Sequence, residues 1–321
     1  MSQGQFISHC TADAINSAAQ RLLDGALVAF PTETVYGLGA DATNAAAVAR
    51  IYQVKGRPAD HPLIVHLADM QDIEMWAAEI PDYAIDLARS FWPGPMTLIL
   101  PRTDLAQDFI SGGQETVGLR VPDHTLALAL LSAFKKLGGK GVAAPSANRF
   151  GHVSPTTADA VREELSPYMA ADDLVLDGGP SLVGVESTII DCTQESPRIL
   201  RPGAITVAMI EAVTGVAVVN RDDVIRVSGA LEHHYAPAAR VVLDGHPRPG
   251  DGLIALNTFP TPEGAIRLAS PLNNEDFARQ LYGALREADA QSIERVVVVQ
   301  PDGTDIAIAI RDRLKRAAAG R

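Results

Sequence analysis

The sequence predicts an α/β fold built from two units: a twisted open sheet with both faces covered, then a smaller α/β unit. Three features point there. Helical apolar spacing alternates with short apolar runs along most of the chain. Those runs are apolar at successive positions, as strands buried on both faces require. Finally, residues 216–239 contain the turn-rich stretch V-S-G-A-L-E-H-H-Y-A-P-A-A, after which the alternation resumes. The expected organisation is a first unit at 1–215, a linker at 216–239 acting as a lid, and a small unit at 240–321.

Thr11 caps a first helix whose apolar positions Ile15, Ala18, Ala19, Leu22 and Leu23 share a face, with Gly25 closing it. A strand at 26–30 ends at Pro31. A helix at 44–54 and a strand at 63–67 follow, then a helix at 82–91 and a strand at 96–100. Strand 118–121, helix 125–137 and strand 141–144 continue the pattern, and a further helix starts near Thr157. Strands at 174–177 and 187–192 and a helix at 205–213, ended by Gly215, complete the first unit. The second unit reads as strands 241–243 and 253–256, a helix 275–288 capped by Asn274, a strand 296–299 and a helix 305–318.

Composition narrows the function. Apolar residues make up 47% of the chain, enough for a sizeable core. The formal charge of −12 argues against a sequence-independent grip on nucleic acid, which needs a basic surface. A local basic pocket remains compatible with it. The two cysteines, Cys10 and Cys192, form no disulfide framework or zinc ribbon, and a reducing, cytoplasmic setting is expected. No signal-like start and no membrane-length apolar run is seen, so no membrane partner is expected.

Chemistry concentrates in loops. Residues 31–39 read P-T-E-T-V-Y-G-L-G, with Thr32, Glu33, Thr34 and Tyr36 suited to a small polar ligand or to turn-making bonds. Gly37, Gly39 and Ala42 approximate G-x-G-x-x-A, with Asp69 after the next strand. In the dinucleotide fingerprint the first glycine directly follows the strand, whereas Pro31 to Tyr36 intervene here. The glycines are read instead as a tight turn needing positive φ. Lys55 and Arg57 end a helix, where cations suit the dipole and equally suit phosphate oxygens. His61 and His66 have an odd separation, which argues against a shared metal. No metal-ligating residues are expected.

Ser146, Asn148 and Ser154 lie in a loop after a strand, where α/β proteins place ligands. Glu186, Ser187 and Thr188 follow a glycine-rich approach to another strand. Arg120 and Arg201 stand near prolines at strand ends, positioned to aim inward. His233, His234 and Tyr235 lie in the linker, where a lid is plausible chemistry. No G-x-x-x-x-G-K-[ST], G-x-S-x-G or H-E-x-x-H motif occurs, so no nucleophile is evident. The chemistry is expected to rest on positioning and charge.

Several motifs in order resemble the YrdC-like family. They are P-T-E-T-V-Y-G-L-G at 31–39, K-G-R-P at 55–58, P-L-I-V-H at 62–66 and P-G-P-M-T-L at 93–98. L-R-V-P at 119–122, P-S-A-N at 145–148 and G-V-E-S-T-I-I-D at 184–191 continue the likeness, and H-Y-A-P at 234–237 matches the long, two-domain form. The resemblance covers nearly the whole chain. It implies a twisted sheet with a concave pocket, followed by a small Rossmann-like domain. It also implies threonylcarbamoyl-AMP synthase activity, a nucleotidyl transfer that joins L-threonine, bicarbonate and ATP and releases pyrophosphate. The product serves a downstream tRNA threonylcarbamoyl transferase machinery.

By the same resemblance Thr34, His66, Arg120, Ser187 and the backbone near Ala144 contact threonine. Arg57, His61, Thr116, Ser146, Asn148, Ser154, Arg201 and Tyr235 contact the nucleotide. His61 departs from the family, which commonly has Asn there; imidazole lacks the amide's geometry. Lys55 and Arg57 are the expected catalytic cations, with Mg²⁺ carried on ATP. A carbamate anion must approach the α-phosphate, so cations have to offset their repulsion. Two other readings compete: an RNA-binding YrdC-like module without adenylation activity, and a carbamoyl-phosphate-using transferase. The acidic net charge disfavours the first. The second would need zinc-finger and acylphosphatase-like segments that this chain lacks.

Overall fold

The computed structural model describes residues 5–7, 11–219, 225–227 and 235–320. The chain opens with β1 (Gln5–Ile7), α1 (Ala12–Leu23), β2 (Val28–Phe30), β3 (Gly37–Asp41) and α2 (Ala45–Lys55). Next come β4 (Ile64–His66), α3 (Ile73–Trp76), α4 (Asp82–Phe91), β5 (Met96–Pro101) and α5 (Asp108–Ser111). β6 (Thr116–Arg120), α6 (Thr125–Lys136), β7 (Val142–Ala143), α7 (Ala158–Leu165) and β8 (Leu174–Leu176) follow. β9 (Thr188–Asp191), β10 (Arg198–Arg201) and α8 (Val207–Thr214) end the first unit. The second holds β11 (Arg240–Leu243), β12 (Gly252–Ile254), β13 (Ile266–Ala269), α9 (Asn274–Ala290), β14 (Arg295–Val298) and α10 (Ala307–Ala318).

The ten strands of the first unit form one sheet, ordered β1-β8-β2-β3-β7-β4-β6-β5-β9-β10. It is mixed: β4 runs parallel to β6, while β3, β4 and β7 pair antiparallel. Helices cover both faces. Leu22, Phe30, Leu130 and Phe134 are buried together where α1 and α6 pack. Val48, Ile51, Leu87, Leu98 and Ile190 belong to a larger core with α2 and α4. Each such side chain contributes roughly 1.5–3 kcal/mol on burial. The second sheet is all parallel, ordered β11-β14-β12-β13. This is the α/β sheet plus smaller α/β unit that the sequence predicts. Among the described residues no helix is long and apolar enough to cross a membrane.

Local signals explain the helix starts. Thr11 accepts from Ala14 N, Asn44 from Ala46 N and Ala47 N, and Thr157 from Ala160 N. The cap of α9 is Asn273, which accepts from Asp276 N, not Asn274. Asn274 instead reaches Asp302 O and Asp305.

The largest correction concerns Gly37 and Gly39. Both lie in β3, paired with β2, and neither has positive φ. Close packing explains the glycines. A Cβ on Gly39 would lie 2.8 Å from both Phe30 Cε1 and Val142 Cγ1. β1, β10 and β13 were also not foreseen, being three or four residues long. The described parts of 216–239 contain no helix or strand.

α9 and α10 turn toward the first unit. Gly184, at φ +84°, leaves no room for a side chain: a Cβ would sit 2.4 Å from Ala278 O on α9. Arg286 pairs with Glu164 and donates to Val153 O at 2.7 Å. Arg279 donates to Leu182 O at 3.1 Å.

Candidate active site

β2 and β3 are antiparallel neighbours, so residues 31–36 form the loop between them. Thr32 organises that loop. Its Oγ1 donates to Val35 O at 2.6 Å and accepts from Thr34 N and Val35 N at 3.2 Å. Thr34 is fully buried, its hydroxyl 2.9 Å from that of Thr32. The Tyr36 hydroxyl is committed to the backbone, donating to Gly179 O at 2.7 Å and accepting from Gly178 N.

β-pairing sets two more groups side by side. His66 ends β4 and Arg120 ends β6, and the two residues are in register. Burial and the Arg120 charge lower the His66 pKa to about 3, so the imidazole is neutral at physiological pH. Among the described residues its Nδ1 has no hydrogen-bond partner. Arg120 Nη2 lies 2.6 Å from Glu33 Oε1, an ion pair whose members are both about 6% exposed.

The far wall comes from β9 and β10. Ser187 precedes β9, its hydroxyl 2.8 Å from Thr97 Oγ1. Arg201 ends β10, and its Nε and Nη2 donate to Ser187 O at 3.1 and 3.0 Å. Glu186 is buried, accepting from Ser154 Oγ at 2.6 Å, Tyr282 OH at 2.9 Å and Arg313 Nε at 2.8 Å. Burial favours its neutral form, but Arg313 and Arg201 outweigh that and hold its pKa at about 2.

Arg57 follows Gly56, whose left-handed φ of 62° ends α2. Its Nη2 donates to Pro62 O at 2.9 Å. Burial lowers its pKa to about 10, so it keeps its charge.

Thr32, Tyr36 and Glu186 border a cavity of about 50 Å³. Of the sequence-predicted site residues, Thr34, Arg57, His66, Arg120, Ala144, Ser146, Ser187, Arg201 and Tyr235 line it. Tyr235 is 1% exposed and stacks on Tyr282. His233 and His234 lie outside the described residues.

Other expected residues stand behind or beside the wall. Asn148 donates to Arg149 O and His152 O, holding its own loop. Ser154 is occupied by Glu186. His61 packs edge-on against Phe150. Thr116 lines a separate small cavity with Ile189, Arg226 and Val227.

Lys55 differs most from its expected role. It is 2% exposed, and its ammonium donates to Ser146 O at 2.6 Å and Asn148 O at 2.5 Å. Burial, with Arg57 nearby, lowers its pKa well below the usual value. Its contacts hold the 146–148 loop instead of facing the cavity. Glu33 and Glu186 stood in sequence motifs, but their salt-bridge partners were not legible there. Arg313 carried no local signal.

Two family profiles match the chain: Sua5/YciO/YrdC, named telomere recombination, over residues 20–203, and the threonylcarbamoyl-AMP synthase C-terminal domain over 205–319. A threonylcarbamoyl-AMP synthase of Pyrococcus abyssi is 38% identical, over 96% of this chain and 94% of that one. The chain belongs to the threonylcarbamoyl-AMP synthase family. A Bacillus subtilis member of this family is 40% identical, over 96% of this chain and 93% of that protein. The crystal structure of P. abyssi Sua5 complexed with L-threonine superimposes with a TM-score of 0.86 and 35% identity, covering 99% of this chain and 97% of that one. The synthases of the family are nucleotidyltransferase-type enzymes, and the fold is theirs across both units.

Proposed function

We propose that this chain forms threonylcarbamoyl-AMP and pyrophosphate from L-threonine, bicarbonate and ATP. One observation carries the reading: three guanidinium groups, Arg57, Arg120 and Arg201, line one cavity with the hydroxyls of Thr34 and Ser187. Glu33 and Glu186 offset part of that positive charge, and an anionic ligand would offset the rest. A carbamate and a triphosphate are such ligands.

In this reading Arg120 faces the threonine carboxylate, and Thr34, Ser187 and neutral His66 surround the amino acid. Arg57 and Arg201 meet the phosphates and offset charge as the carbamate oxygen attacks Pα. Ser146, Tyr235, Thr116, His61, Asn148 and Ser154 belong to the nucleotide side, the last two by shaping its loop. Lys55 acts through the carbonyls it holds. Fixing both reactants at attack distance contributes on the order of several kcal/mol.

Mg²⁺ arrives on the triphosphate in this proposal. Among the described residues no cluster of three metal-ligating side chains occurs. The nearest carboxylates, Glu33 and Glu186, are committed to Arg120 and Arg313. Phosphate oxygens and water are therefore the natural ligands of the ion.

The cavity is far smaller than the roughly 300–1,000 Å³ of small-molecule pockets. Tyr235 must withdraw for ATP to enter, so the linker at 216–239 serves as a lid between units 1–215 and 240–321. The product passes to a tRNA threonylcarbamoyl transferase, with weak or no direct nucleic-acid contact by this chain. A cytoplasmic setting completes the proposal, supported by a free, buried Cys192 thiol.

The test is incubation with ATP, Mg²⁺, bicarbonate and each amino acid in turn. Pyrophosphate release and an adenylate of threonylcarbamoyl mass, with threonine strongly preferred, are expected. Absence of that adenylate defeats the reading.

A further inference from the structure

Arg313 lies on α10 of the second unit, yet its fully buried side chain reaches the active-site wall. Its Nε donates to Glu186 Oε2 at 2.8 Å. Its guanidinium carbon stands 5.4 Å from the centre of the Tyr235 ring, within cation–π range. Tyr282 of α9 donates to the same carboxylate oxygen at 2.9 Å. Tyr282 also stacks on Tyr235, with centroids 5.8 Å apart and planes at 23°. The second unit thus touches two cavity-lining residues, Glu186 and Tyr235, through two side chains.

Glu186 poses an electrostatic problem. It is a buried carboxylate beside a cavity that must accept a polyanion. Two guanidinium groups bear on it, Arg313 from behind and Arg201 from the cavity side. The geometry divides their duties. Arg313 takes the carboxylate directly, while Arg201 directs Nε and Nη2 to Ser187.

We propose that Arg313, assisted by Tyr282, is a positioning residue that the second unit supplies to the active site: it neutralises Glu186 from outside the cavity, keeps Arg201 facing the nucleotide phosphates and holds the Tyr235 ring in place. This inference rests on the adenylation reading above. It makes the second unit part of the charge balance of the site. An ion pair that only joined two domains would affect stability without distinguishing one substrate from the other.

The test uses full-length wild type, R313M, R313K and R313M/E186Q, comparing KM for ATP, KM for threonine and thermal midpoint. Without Arg313 the Glu186 carboxylate draws Arg201 away from the phosphates. R313M should raise KM for ATP roughly tenfold, a coupling typical of contacting charged groups, with KM for threonine changed less than about threefold. Adding E186Q removes the competing charge and should recover most of that loss. R313K, which keeps the charge without the fork, should fall between. An unchanged KM for ATP in folded R313M overturns the inference, as do equal rises in both KM values or no recovery with E186Q. Should R313M fail to fold, R313K and R313K/E186Q carry the same comparison. An inactive wild type defeats the adenylation reading and this inference with it. An active wild type with indifferent Arg313 variants defeats this inference alone.

Discussion

Arg120 and Glu33 form a buried ion pair, Nη2 to Oε1 at 2.6 Å, that joins the end of β6 to the loop between β2 and β3. The pair aims a cavity-lining guanidinium and ties two segments that are far apart in sequence. Removing one partner of such a pair leaves the other charge buried and uncompensated. E33Q should therefore weaken threonine binding about tenfold or more, as loss of a buried ion-pair partner does. Calorimetric titration with threonine checks this, and unaltered affinity would mean that Glu33 does not aim Arg120.

In the proposed reading Arg57 meets the triphosphate. R57A should lower pyrophosphate release by roughly a hundredfold or more, as loss of a positioned transition-state donor does. Its fold should survive, because the Arg57 Nη2 contact to Pro62 O spans only five residues of the chain. Turnover near wild type in a protein with an unchanged melt would refute the phosphate role.

Lys55 makes the opposite prediction. Its ammonium satisfies two buried carbonyls, Ser146 O and Asn148 O. K55M strands both, at a cost of about 1–3 kcal/mol each. The thermal midpoint should fall along with activity. A drop in activity at constant midpoint would return Lys55 to the direct phosphate role that the sequence suggests.

Tyr235 lines the cavity and stacks on Tyr282. Y235A should accelerate ATP release, measured by displacement of a fluorescent nucleotide, while threonine affinity changes little. Identical nucleotide release rates would remove the lid from the proposal.

Acid should destabilise the protein in two windows. The folded pKa of His66 is about 3, below its unfolded value of 6.5. The unfolded chain therefore binds more protons between those values, and stability falls as pH drops from 6.5 toward 3. The folded pKa of Glu186 is about 2, below 4.5. Its contribution is present above pH 4.5 and is lost as pH falls toward 2. Denaturant melts of wild type and H66N across pH 4 to 7 should show a shallower acid slope for the variant. Parallel slopes would exclude His66 as the source.

The alternation of helices and apolar runs, the cap at Thr11, and the loops holding Thr34, Arg57 and Ser187 were all legible in one dimension. They depend on neighbours within a few residues, where side-chain type and spacing decide the backbone. β3 was misread because a strand glycine selected for close packing against Phe30 and Val142 looks locally like a turn glycine. The contacts of Lys55 could not be read either, since its acceptors Ser146 and Asn148 are far along the chain. The same holds for Glu33 with Arg120 and Glu186 with Arg313. Charge compensation in a buried site is a matter of distance in space. Only folding brings Arg313 to a carboxylate 127 positions earlier.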